Sequence, residues 1–117
     1  MKKIIFFILL IISAINACTF DNLEDLASEN SCDTLNIDFE THIQPILQAN
    51  CYACHGNEIT YAGFNFTNQN NVVSAALSGR LSGAINHLSG FKPMPNGKPK
   101  LDPCKIKQIE LWISSIK

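Results

Sequence analysis

The sequence predicts an all-α domain, and three observations carry that expectation. Apolar residues recur at helical spacing in two separate stretches, 39–47 and 106–116. Each stretch follows an aspartate in capping position, Asp38 or Asp102. No stretch shows the strict apolar–polar alternation of a strand, and no repeat is present.

In chain order, Phe39, Ile43, Ile46 and Leu47 fall at i, i+4, i+7 and i+8, one face of a helix. Pro45 lies inside that pattern and is expected to kink the helix or shift its start. Residues 56–71 carry Gly56, Gly63 and a cluster of asparagines, so they read as loop. Tyr61, Phe64 and Phe66 in that loop either fill the core or cover something flat. Asn65-Phe66-Thr67 matches a glycosylation sequon, which an exported bacterial protein leaves unused. Residues 72–88 predict one or two short helices broken near Gly79 or Gly83, followed by a loop rich in proline and lysine. The final helix has Asp102 as cap, Pro103 in its first position and an apolar stripe of Ile106, Ile109, Trp112, Ile113 and Ile116.

The first 17 residues have a different purpose. Lys2 and Lys3 precede the apolar run Ile4–Ile12, and small residues follow, the layout of a secretory signal. The uncharged run is too short to span a bilayer. The segment "INAC" resembles a bacterial lipobox, which implies that Cys18 is diacylated and becomes the first residue of the mature protein. Acyl chains anchor firmly, since each buried methylene contributes about 0.8 kcal/mol. The expected plan is a signal over 1–17, an acidic tether over 18–37 and a domain over 38–117. The expected location is the periplasm or outer membrane, lipid-anchored. Loss of the signal leaves seven basic and ten acidic residues, a net charge of −3. That balance argues against nucleic-acid binding, which needs a basic face. A domain this small is also near the lower limit for a self-sufficient core, so covalent staples or a buried cofactor are expected helpers.

The chemistry concentrates in "NCYACHGN", residues 50–57. Cys51 and Cys54 could add as thioethers to the two vinyl groups of a haem, with His55 as proximal iron ligand. Zinc is the main rival, drawing Cys32 and Cys104, or His42 or His87, into a four-ligand set. Zinc–thiolate sites usually come as two close-spaced pairs, however, and Cys32 and Cys104 are isolated. A thioredoxin-like dithiol needs a strand–helix context that is missing here.

A haem iron has a second axial position. Met94 is the only methionine left after the signal is removed, and it lies between Pro93 and Pro95 in "KPMPNG". The prolines stiffen the loop, so a thioether there loses little entropy on ligation. Met94 is therefore the expected distal ligand, with His87 as runner-up. His42 reads as a surface residue or one behind the ligands, and Arg80 as a partner for a haem propionate or a solvated helix residue. Lys92, Lys98 and Lys100 ring the Met94 loop and could steer an acidic partner, or simply be solvated.

Of the five cysteines, this assignment leaves Cys32 and Cys104, and two cysteines allow one pairing. Export makes the disulfide chemically permissible. Closing so long a loop contributes roughly 4 kcal/mol in the chain-entropy model.

With these residues in hand, the chain resembles a small class I cytochrome c. "FETHIQPILQANCYACHGN" and "FKPMPNGKPKLDPCKIKQIELWI" carry the likeness, over about residues 38–116. More narrowly it is similar to planctomycete-type and Bacteroidetes cytochrome c-like lipoproteins. The resemblance implies N- and C-terminal helices packed across each other around one covalent haem c, with Cys51, Cys54, His55 and Met94 as its attachments. The expected function is to carry single electrons between exported redox partners, without enzymatic turnover. Two other readings stand beside it. One is a haem sensor or peroxidase-like protein with a displaceable Met94. The other is a non-haem lipoprotein stabilised by zinc or disulfides. No distal acid–base pair is evident for the peroxidase reading.

Overall fold

A computed structural model describes residues 32–117, and Asp33–Lys117 form one compact unit. The expected signal over 1–17, Cys18 and the part of the expected tether before Cys32 lie outside the described residues. The described chain is helical with no β-strand, only an isolated antiparallel bridge between His55 and Thr60. Among the described residues, no helix is long and apolar enough to cross a membrane.

Asp38 caps the first helical segment, its Oδ1 accepting from the N–H groups of Glu40 and Thr41. The Thr41 hydroxyl donates to the other carboxylate oxygen, Oδ2. The first turn, Phe39–Ile43, is a wide π-turn in which Gln44 N–H reaches back to the Phe39 carbonyl. Pro45 accounts for it physically. In a regular α-helix its ring would collide with the Thr41 carbonyl, and widening the turn relieves that contact. Helix α1, Gln44–Asn50, follows directly, with Pro45 in its first turn. The expected apolar face is buried: Ile43 and Leu47 are fully enclosed, Ile46 nearly so.

The backbone bends at Cys51 (φ −123°, ψ −35°), and one further turn, α2, spans Tyr52–His55. A short 3₁₀ turn, Tyr61–Gly63, interrupts the following loop. Helix α3, Gln69–Leu77, begins three residues before the first apolar position, because the Asn68 side chain caps it by accepting from Asn70 N–H. The chain breaks at Gly79, whose φ of +76° suits glycine, and continues as α4, Arg80–Ile85. Gly83 does not break the helix. It leaves room for the Phe91 ring, whose atoms would lie 2.5 Å from a Cβ at that position.

Helix α5, Pro103–Ser115, is capped by Asp102, which accepts from Cys104 N–H. Ile109, Trp112 and Ile113 are buried, with Ile106 and Ile116 packed at the margin. This helix closes the core from one side: Trp112 meets Phe39 at 5.4 Å between ring centroids. Glu110 Oε1 accepts from Ser82 Oγ (2.6 Å) and Asn86 Nδ2 (2.7 Å), fixing α4 to α5. Cys32 and Cys104, the two cysteines left for each other by the count, are disulfide-bonded; Cys51 and Cys54 carry free thiols.

Candidate functional site

The bend at Cys51 gives the motif its shape. His55 N–H and Cys54 N–H both donate to the Cys51 carbonyl, at 2.8 and 3.1 Å, so 51–55 closes as one helical turn. That turn carries Cys51 half-buried, Cys54 exposed and His55 buried. Gly56 ends it. A Cβ there would stand 2.5 Å from the Tyr52 carbonyl oxygen, so only glycine fits without displacing backbone.

The loop then folds back over the histidine. Phe64 N–H donates to the Tyr61 carbonyl, and the two residues between, Ala62 (φ +56°) and Gly63 (φ +76°), both lie in the left-handed region. This reversal brings Phe66 N–H to the His55 carbonyl at 2.7 Å and the Phe64 carbonyl to His55 Nδ1 at 3.2 Å. A carbonyl only accepts, so the proton of the neutral imidazole is assigned to Nδ1 and the lone pair to Nε2. Nε2 makes no hydrogen bond, yet no fully enclosed side-chain nitrogen or oxygen among the described residues lacks a partner. Nε2 is therefore not fully enclosed, although the histidine as a whole is buried. Phe64 and Phe66 wall the ring, with centroids 6.3 and 5.1 Å away. The Arg80 guanidinium caps the Phe64 ring at 5.8 Å.

This turn offers two thiols and one imidazole lone pair. Burial, with the neighbouring Cys54, pushes the Cys51 thiol up to about 11, so it is protonated at neutral pH. A reactive redox dithiol needs the opposite, a thiolate-forming environment. Zinc fares no better: Cys32 and Cys104 are disulfide-bonded, and no set of three or more His, Cys, Asp or Glu side chains among the described residues converges on a metal position.

Met94 is half-buried in its loop, and its bond to Pro95 is cis. Its N–H donates to the Ala84 carbonyl at 3.0 Å, and His87 Nε2 lies 3.0 Å from its carbonyl oxygen. Both contacts come from the C-terminal end of α4. The first residue of the same helix is Arg80, which reaches the Phe64 ring beside His55. One turn of helix, roughly 6 Å of rise, thus separates the residue touching the wall of His55 from the residue holding Met94.

His42 stands apart from both. Its ring lies between Asp33 (3.6 Å) and Asp38 (3.3 Å). Lys92, Lys98 and Lys100 are exposed around Met94. Sequence reasoning read Gly56 only as a mark of loop, and missed the Phe64 carbonyl, the Ala84 carbonyl and Glu110. Only Gly56 carried a signal, its place directly after the histidine. Comparisons with protein-family models, with curated proteins and with solved structures gave no match.

Proposed function

We propose that the chain is a single-haem c-type cytochrome, similar to small class I cytochromes c, that carries electrons one at a time between exported redox partners. The observation that carries this reading is His55: Nδ1 is engaged by the Phe64 carbonyl, which leaves the Nε2 lone pair without a partner on the turn that holds two free thiols. A histidine bound to a metal through one nitrogen characteristically donates from the other to a carbonyl or carboxylate.

The residues fit the group. Each thiol S–H adds across one vinyl C=C to give a thioether, so attachment through Cys51 and Cys54 needs no oxidant. Surface chemistry supports a flat apolar occupant. Of six exposed large hydrophobic residues among those described, four, Ile59, Tyr61, Leu88 and Phe91, fall in the loops that follow His55 and precede Met94. Exposed apolar side chains gathered in those two loops support a surface that takes a partner. Met94 is the proposed distal ligand. When bound, the haem supplies an iron that alternates between two oxidation states.

The protein's part is to hold its ligands still as charge changes. The Phe64 carbonyl orients His55, α4 fixes the backbone of Met94, and the apolar walls exclude water. Lys92, Lys98 and Lys100 would steer an acidic partner. An acylated Cys18 would keep the domain at the membrane.

The test is to mature residues 18–117 with a haem-ligation system and follow reduction and reoxidation. An electron carrier shows one reversible one-electron step and slow reaction with carbon monoxide and peroxide. Fast reaction with either would contradict the carrier reading and favour a sensor or peroxidase-like protein.

A further inference from the structure

We propose that His87 is a positioning residue for Met94, not a competing ligand: its imidazole and the Ala84 carbonyl clamp the main chain of Met94 from both sides. The inference rests on the haem reading only for the meaning of the fixed thioether; the clamp is a property of this chain.

Helix α4 ends in a Schellman turn. Leu88 N–H reaches the Gly83 carbonyl at 3.0 Å, and His87 N–H the Ala84 carbonyl at 3.2 Å. The residue after the cap of such a turn takes the left-handed conformation and is usually glycine. Here it is His87, with φ +56°. An L-residue is strained there, so the side chain has to contribute something that glycine cannot. What it contributes is a hydrogen bond: Nε2, necessarily the protonated nitrogen because its partner is a carbonyl, donates to Met94 O across 3.0 Å.

The Ala84 carbonyl completes the arrangement. Besides receiving His87 N–H, it accepts from Met94 N–H at 3.0 Å. Both hydrogen-bonding groups of the Met94 main chain are therefore tied to one short stretch of backbone, the end of α4 from Ala84 to His87, which is itself anchored through Ser82 and Asn86 to Glu110. The thioether departs from a backbone fixed at both sides, which shortens the search it makes for an iron. The strained turn aims His87 at the loop, and the same strain makes glycine the informative replacement.

His87→Gly keeps the turn, relieves the strain and removes only the imidazole. In the full chain, amide hydrogen exchange at Met94 should accelerate by roughly tenfold or more, while amides in the middle of α5 keep their wild-type protection. In the haem-bearing protein, the thioether-to-iron absorption band should weaken and added imidazole should displace Met94 faster. Wild-type protection at Met94 in His87→Gly would overturn the clamp, as would an acceleration shared equally by α5. Because exchange is read whether or not haem is bound, failure of the clamp is distinct from failure of the haem reading, which shows as absence of covalent haem in the wild type.

Discussion

His55 Nδ1 lies 3.2 Å from the carbonyl oxygen of Phe64, a residue nine positions further along the chain. The contact exists because a left-handed pair, Ala62 and Gly63, turns the loop back onto the helical turn that carries the histidine. It orients the ring and decides which nitrogen keeps a lone pair. The site is thus assembled from one turn of helix and the main chain of the loop after it.

The tightest steric demand in that assembly falls on Gly56. A methyl group there would meet the Tyr52 carbonyl at 2.5 Å, and backbone cannot swing aside as a side chain can. Gly56→Ala should lower stability by about 1–3 kcal/mol, the usual range for overpacking. It should also lower the yield of haem-bearing protein, since the turn holding Cys51, Cys54 and His55 must shift. Urea unfolding checks the first effect; a change below about 0.5 kcal/mol, within the range of neutral surface substitutions, would contradict it.

Glu110 holds α4 in place by accepting from both Ser82 and Asn86. Glu110→Ala should cost about 1–3 kcal/mol, because two donors lose a charged acceptor in a half-buried position. Glu110→Gln, which keeps an acceptor oxygen without the charge, should recover part of the loss. The check is a fall in the urea midpoint with an unchanged slope.

Asp38 sets an acid limit on the first helix. The Thr41 hydroxyl, the N–H groups of Thr41 and Glu40, and His42 hold its carboxyl down at about 2, against an ordinary value of 3.8. A carboxyl depressed on folding stabilises the native state above its unfolded pKa, and the effect disappears as pH falls through its folded pKa. The charge of Asp38 thus contributes fully above about pH 4 and is lost on approach to pH 2. Asp38→Asn, which keeps a good capping side chain, should be less stable than wild type at neutral pH. The two should converge as pH falls through that window. A gap that stays constant with pH would contradict the assignment.

Much of the fold was legible in side chains that announce themselves. Asp38 and Asp102 cap where expected, and the stripes led by Ile43 and Leu47, and by Ile109 and Trp112, are the core. Apolar periodicity could not see α3 begin at Gln69, because Asn68 starts it on polar residues. Nor could it choose between Gly79 and Gly83 as the break. That was decided by the backbone: Gly79 takes a φ of +76°, whereas Gly83 stays helical with the Phe91 ring in the space a side chain would need. The π-turn at Phe39–Ile43 was half legible: Pro45 signalled a disturbance, and the form it took was set by a carbonyl.

The site divides in the same way. Cys51, Cys54, His55 and Met94 stand out as letters. The groups that orient them are largely main-chain carbonyls, at Phe64 and Ala84, which any residue could supply. His87 was visible as an alternative ligand, whereas its bond to the Met94 carbonyl depends on a left-handed turn that nothing short of the fold reveals.

The central claim is that Cys51 and Cys54 bind haem covalently. The direct measurement is the mass of the denatured protein after production with a haem-ligation system, in wild type and in a Cys51→Ala/Cys54→Ala variant. The account predicts a wild-type chain heavier by one haem, with the pigment retained through denaturation, and a variant that carries none. A wild-type chain at its bare polypeptide mass, or a variant that retains the pigment, would contradict it.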